Sequence, residues 1–146
     1  MEMVARIKNS FTQKQMVNLI KIDEVSGIPL IGCIAFGIID RGSNLLQIRP
    51  STPCNMKCAF CSTSANNFDM HPNNFIVDKD YLVKWVKHVI KLKECNEIEI
   101  NIDSMGEPTA YKKLPELIQD LKKLKEVNFI SMQTNGTLLT KELINK

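Results

Sequence analysis

Cys54-Asn55-Met56-Lys57-Cys58-Ala59-Phe60-Cys61 places three thiols within eight residues, directly after a stretch that reads as a strand. Thiolates are the ligands iron–sulfur clusters prefer, and a short loop can hold one cluster with three of them. Three protein ligands leave the fourth iron of such a cluster without a protein donor, and an open metal position can bind and polarise a substrate or cofactor. A competing reading is a zinc site completed by Cys33, Cys95 or His71, although zinc loops usually pair cysteines two residues apart.

Composition narrows the setting. At 146 residues the chain is long enough for one compact domain with its own core. Hydrophobic residues make up 44% and charged residues 24%, an ordinary balance for a soluble globular protein. The net charge of +3 is spread over mixed signs and argues for neither a nucleic-acid arm nor a membrane patch. Arginine occurs only at Arg6, Arg41 and Arg49, so arginine forks for phosphate are few. No secretory signal is visible at Met1 to Arg6. The longest apolar stretch, Ile28 to Ile39, is broken by Pro29, Gly32 and Gly37 and falls short of the about 20 residues a span requires. A cytoplasmic protein with no membrane partner is expected. Thiols stay reduced there, so the five cysteines suggest metal or catalysis before disulfides.

Outward from the cysteine loop, the pattern is that of an α/β fold. Ser10 to Ile22 reads as a short amphipathic helix with Phe11, Val17 and Ile20 on its apolar side. Ile28 to Asp40 and Leu45 to Arg49 read as two strands of a hairpin around Arg41-Gly42-Ser43-Asn44, and Pro50 and Pro53 bracket the exit from the second. Ser62 to Val77 is polar and reads as loop. Asp78 or Asp80 then caps a helix whose face is Leu82, Trp85, Val86, Val89 and Ile90. Glu97 to Asp103 alternates strictly, with Ile98, Ile100 and Ile102 on one side. Gly106-Glu107-Pro108 turns the chain, and Leu114, Leu117, Ile118, Leu121 and Leu124 repeat the helical spacing, with Pro115 in the first turn. Val127 to Thr134 is a further strand, Asn135-Gly136 a turn, and Thr140 opens another helix. Strands alternating with helices predict a parallel sheet built from right-handed crossovers. The pattern is still running at Lys146, and the chain is expected to be cut short.

The cysteine loop, with its aromatic just before the last cysteine, resembles the signature of the radical S-adenosylmethionine (SAM) superfamily. That resemblance implies that Cys54, Cys58 and Cys61 hold a 4Fe-4S cluster and that Phe60 packs near the cofactor. It implies that the amino and carboxylate groups of S-adenosylmethionine chelate the fourth iron, and that one electron then cleaves the cofactor to a 5′-deoxyadenosyl radical. The family's second strand ends in a Gly-Gly-Glu-Pro-like turn that meets the cofactor's amino group. Here that turn reads Ser104-Met105-Gly106-Glu107-Pro108, with Met105 in place of the first glycine. The third strand's Met132-Gln133-Thr134-Asn135-Gly136 is similar to a Thr-Asn-Gly ending common near the cofactor. By the same resemblance Gly106, Glu107, Pro108, Thr134 and Asn135 are cofactor-binding.

The implied fold is a partial (β/α)6 barrel, with 45–146 the first half of the core and 1–44 an N-terminal extension. Ile31 to Gly42 also resembles archaeal predicted iron–sulfur oxidoreductases of the superfamily. Glu97, Glu99, Asn101 and Asp103 make the other side of the second strand polar. Either that strand is an edge exposed to solvent, or this side, with Gln47 and Arg49, lines a polar cavity. The expected activity is hydrogen abstraction from an unknown substrate: RNA, peptide and small molecule all stay open. An electron donor such as ferredoxin or flavodoxin is an implied partner, and a second chain carrying the remaining strands is another. Outside catalysis, a zinc- or cluster-stabilised binding or scaffold module is the alternative.

Overall fold

The alternation of Ile98, Ile100 and Ile102 becomes the centre of the fold, where all three side chains are fully buried. The computed structural model describes residues 4–7, 17–67 and 69–145. Its strands are β1 (Val4–Ile7), β2 (Val17–Ile22), β3 (Gly37–Asp40), β4 (Leu45–Arg49), β5 (Asn73–Val77), β6 (Ile98–Ile102) and β7 (Val127–Met132). Its helices are α1 (Lys79–Lys93), α2 (Leu114–Lys122) and α3 (Lys141–Ile144).

The larger sheet runs β3-β4-β6-β7. The hairpin pairs β3 and β4 antiparallel, with Ile38 opposite Ile48. From β4 onward pairing is parallel: Ile48 lies opposite Ile102, and Ile102 opposite Met132. Each parallel step is bridged by a helix, α1 before β6 and α2 before β7, as alternation predicts. Asp78, not Asp80, caps α1, its carboxylate accepting from the amides of Asp80 at 3.0 Å and Tyr81 at 3.2 Å. The helical faces read from spacing meet the sheet: Leu82, Val86, Val89 and Ile90 of α1 and Leu114, Leu117 and Leu121 of α2 are buried against the isoleucines. Burying one such side chain contributes roughly 1.5–3 kcal/mol.

Four expectations are corrected. Within Ser10 to Ile22, residues 17–22 form strand β2 rather than a helix; residues 10–16 lie outside those described. The cause is a distant partner, since β2 pairs in parallel with β5, Asn18 opposite Asn73 and Ile22 opposite Val77. For the same reason the polar segment Ser62 to Val77 is not loop throughout: its last residues, Asn73–Val77, are β5. The long strand from Ile28 shrinks to Gly37–Asp40. Gly32 and Gly37 both sit at a φ of 92°, which a regular strand excludes, and Pro29 has no N–H for a ladder. A Cβ at Gly37 would lie 2.4 Å from the Leu30 carbonyl oxygen, so the chain folds back on itself there. The strand starting at Val127 ends at Met132, two residues short of Thr134.

The β1-β2-β5 sheet joins the larger one just before the cysteine loop. The Val77 amide donates to the Pro50 carbonyl at 2.8 Å, and the Thr52 amide to the Phe75 carbonyl at 3.0 Å. The cysteine loop thus leaves β4 from an anchored base. No helix is long and apolar enough to cross a membrane, among the residues described.

Candidate functional site

Thr52 fixes where the loop begins. It is buried, its hydroxyl donates to the Asn74 side-chain oxygen at 3.1 Å, and it accepts the Phe75 amide at 2.8 Å. Two asparagines then shape the loop. Asn66 donates to the carbonyls of Cys54, at 3.1 Å, and Met56. Asn55 donates to the Thr137 hydroxyl at 2.7 Å and accepts from Asn135 at 3.0 Å.

Cys54, Cys58 and Cys61 are half-buried free thiols. Among the described residues, no three His, Cys, Asp or Glu side chains stand together as a ready ligand set, so the thiols share a loop without converging. Phe60 is 90% exposed. Cys61 is the most prepared of the three. The Thr63 hydroxyl lies 3.2 Å from its sulfur, and the amides of Thr63, Ser64 and Ala65 follow on the same turn, where they favour the thiolate. Against the opposing push of burial, these donors bring the thiol down to about 7. Ser64 adopts a φ of 51° in this turn, uncommon for a residue with a side chain. Three free, partly accessible thiols, one held close to ionisation at neutral pH, are a donor set that fits an iron–sulfur cluster.

The turn after β6 packs under this loop. A Cβ at Gly106 would sit 2.1 Å from the Pro53 carbonyl oxygen and 2.3 Å from that of Thr52, so close approach alone demands glycine. The next amide, Glu107 N–H, donates to the same Pro53 carbonyl at 2.9 Å. Met105 needs no left-handed backbone: among the described residues, Ser64 and Glu94 are the non-glycines with positive φ. A side chain at position 105 therefore costs no left-handed backbone strain.

Glu107 is 2% exposed, and all its bonds are local to the strand ends. Its carboxylate accepts from the Thr109 amide at 3.0 Å, the Thr109 and Thr134 hydroxyls at 2.5 Å each, and the Asn135 amide at 2.8 Å. Burial pushes this carboxyl up, but those donors outweigh it and hold it below the ordinary glutamate value. Pro108 opens a short 3₁₀ turn, Pro108–Ala110. Gly106, Glu107, Pro108, Thr134 and Asn135 are thus assembled at one end of the sheet, beside the cysteine loop.

The polar side of β6, continued by Asp103 just beyond it, bonds residues of both neighbouring strands. Arg49 Nε bonds Asp103 Oδ1 at 2.7 Å, Gln47 donates to Asp103 Oδ2 at 3.0 Å, and Arg41 donates to Gln47 at 2.6 Å. Asn101 donates to Ser131 of β7 at 2.8 Å, and its side-chain oxygen is buried without a partner. Glu99 remains exposed. A cavity of about 550 Å³ lined by Lys87, Lys91, Glu94 and Glu126 lies at the opposite strand ends and is no part of this site. A smaller one, about 140 Å³, flanks the loop between Thr52, His71, Asn74 and Met105. Thr63, Asn55 and Asn66 were invisible as site residues in the sequence, since no spacing marks a side chain that bonds a partner across a loop.

The model of the radical SAM superfamily matches residues 48–146. The chain belongs to this superfamily. Among curated relatives, an uncharacterized protein of Methanocaldococcus jannaschii is 42% identical over 82% of this chain and 28% of its own length. A probable GTP 3′,8-cyclase of Methanococcus aeolicus is 36% identical over 70% of this chain and 32% of its own. A GTP 3′,8-cyclase of Clostridium perfringens is 31% identical over 68% of this chain and 29% of its own. The chain therefore spans about a third or less of the curated relatives it matches. No solved structure matches it.

Proposed function

We propose that this radical SAM chain holds a 4Fe-4S cluster through Cys54, Cys58 and Cys61 and serves an enzyme that cleaves S-adenosylmethionine reductively. One observation carries the reading. Gly106 seats the turn after β6 against Thr52 and Pro53, and Glu107 locks that turn to Thr134 and Asn135. Three segments that the family devotes to cluster and cofactor are thereby fixed to one another before any ligand arrives. When bound, cluster and cofactor supply a one-electron reduction of the sulfonium, releasing methionine and a 5′-deoxyadenosyl radical that takes a hydrogen atom from substrate.

The protein's own residues do the positioning. Gly106, Glu107 and Pro108 present backbone groups to the cofactor's amino end, Thr134 and Asn135 close the neighbouring strand end, and Phe60 is free to pack on the cofactor. Residues 45–146 form the first half of a (β/α)6 core, and 1–44 an extension hydrogen-bonded to it through β2 and β3. A ferredoxin- or flavodoxin-type donor delivers the electron in the cytoplasm. The named cyclases make GTP the substrate to test first. Anaerobic reconstitution with iron and sulfide, then dithionite and S-adenosylmethionine, should yield 5′-deoxyadenosine. A colourless protein holding one zinc would support the binding-module alternative instead.

A further inference from the structure

The Thr63 hydroxyl touches both halves of the site. It donates to the Met105 carbonyl at 2.7 Å and lies 3.2 Å from Cys61 Sγ. Its backbone is held as well, because His71 Nε2 lies 3.1 Å from the Thr63 carbonyl oxygen. Thr63 is partly buried, two residues beyond the last cysteine of the loop.

A hydroxyl has one proton to give. With Cys61 as a thiol, S–H donates to the Thr63 oxygen, Thr63 donates to Met105, and every group on the line is satisfied. An iron-bound sulfur carries no proton. The Thr63 hydroxyl is then the donor left between an anionic sulfur and a neutral carbonyl, and a bond to the charged acceptor is the stronger. We propose that Thr63 is a positioning residue that swings its hydroxyl from Met105 to the Cys61 sulfur on ligation, raising the cluster's reduction potential and freeing the Met105 carbonyl beside Gly106. The inference rests on Cys61 being a cluster ligand. Its electrostatic content is simple: a donor on the ligand sulfur favours the more negative, reduced cluster.

The test uses the protein reconstituted anaerobically with iron and sulfide, and its Thr63→Val and Thr63→Ser variants. Iron and sulfide content should stay at the parent level in both. In Thr63→Val the midpoint potential should move negative, by up to a tenfold change in the reduced-to-oxidised ratio, which is about 59 mV for one electron. One exchangeable proton coupling to the reduced cluster should vanish from its electron–nuclear double resonance spectrum. Thr63→Ser should restore both. Should Thr63→Val fail to take up iron, Thr63→Ala removes the hydroxyl without an added methyl and reads the same quantities. A cluster-loaded Thr63→Val or Thr63→Ala with parent potential and proton couplings overturns the proposal, as does a Thr63→Ser variant that behaves like valine. If Cys61→Ala retains all its iron, the ligand reading itself has failed, and that outcome is distinct.

Discussion

The Asn135 amide donates a 2.8 Å hydrogen bond to the Glu107 carboxylate, tying the end of β7 to the turn after β6. Every donor around this carboxylate would face an amide N–H₂ in part if glutamate became glutamine. Glu107→Gln should therefore cost about 1–3 kcal/mol, read as a lowered midpoint in urea unfolding. Unchanged stability would mean that the strand ends are held by packing alone.

The same carboxyl gives a pH signature. Its folded value lies below the ordinary glutamate value, so its contribution is complete above the unfolded pKa of about 4.3 and is lost as pH falls through the folded one. Stability should fall below about pH 4 more steeply in the parent than in Glu107→Gln. The difference between the two curves isolates Glu107 from other acids, such as Asp120, held at about 2 by its bonds to Lys123 and Lys79.

Gly106→Ala should disturb two things together. A Cβ there meets the Pro53 and Thr52 carbonyl oxygens at 2.1 and 2.3 Å, so turn and loop base must part. Overpacking of this kind costs about 1–3 kcal/mol. Iron content after reconstitution should drop as well, because the displaced backbone leads directly into Cys54. Parent stability with parent iron content would contradict the close packing.

Arg49 and Asp103 form a largely buried pair, with side chains 15% and 10% exposed. Arg49→Met removes the cation and leaves the carboxylate with Gln47, at a cost of about 3–5 kcal/mol. Adding Asp103→Asn should recover part of that loss. Denaturation of both variants decides it: additive losses would mean that the pair is not coupled.

What the sequence disclosed, and what it hid, follows from the range of each signal. Leu82, Val86, Val89 and Ile90 announce α1 because helical spacing is a local pattern, and Ile98, Ile100 and Ile102 announce β6 for the same reason. Strands β2 and β5 carry no such pattern: Asn18 pairs with Asn73, and β2 pairs on its other side with β1, so partners distant in sequence make these segments extended. The cysteine loop and the Gly106-Glu107-Pro108 turn were legible as motifs. The clasps that shape and tether the cysteine loop were not, because Asn55 to Asn135, Asn66 to Cys54 and Thr63 to Met105 are loop contacts without periodicity.

The most direct measurement is iron and sulfide per chain after anaerobic reconstitution, in the parent and in five single variants. We expect about four irons in the parent, with Cys33→Ala and Cys95→Ala unchanged. Cys54→Ala, Cys58→Ala and Cys61→Ala should each lose the cluster and its brown absorption. Full iron retention in Cys58→Ala would contradict the three-thiolate cluster on which the proposed chemistry depends.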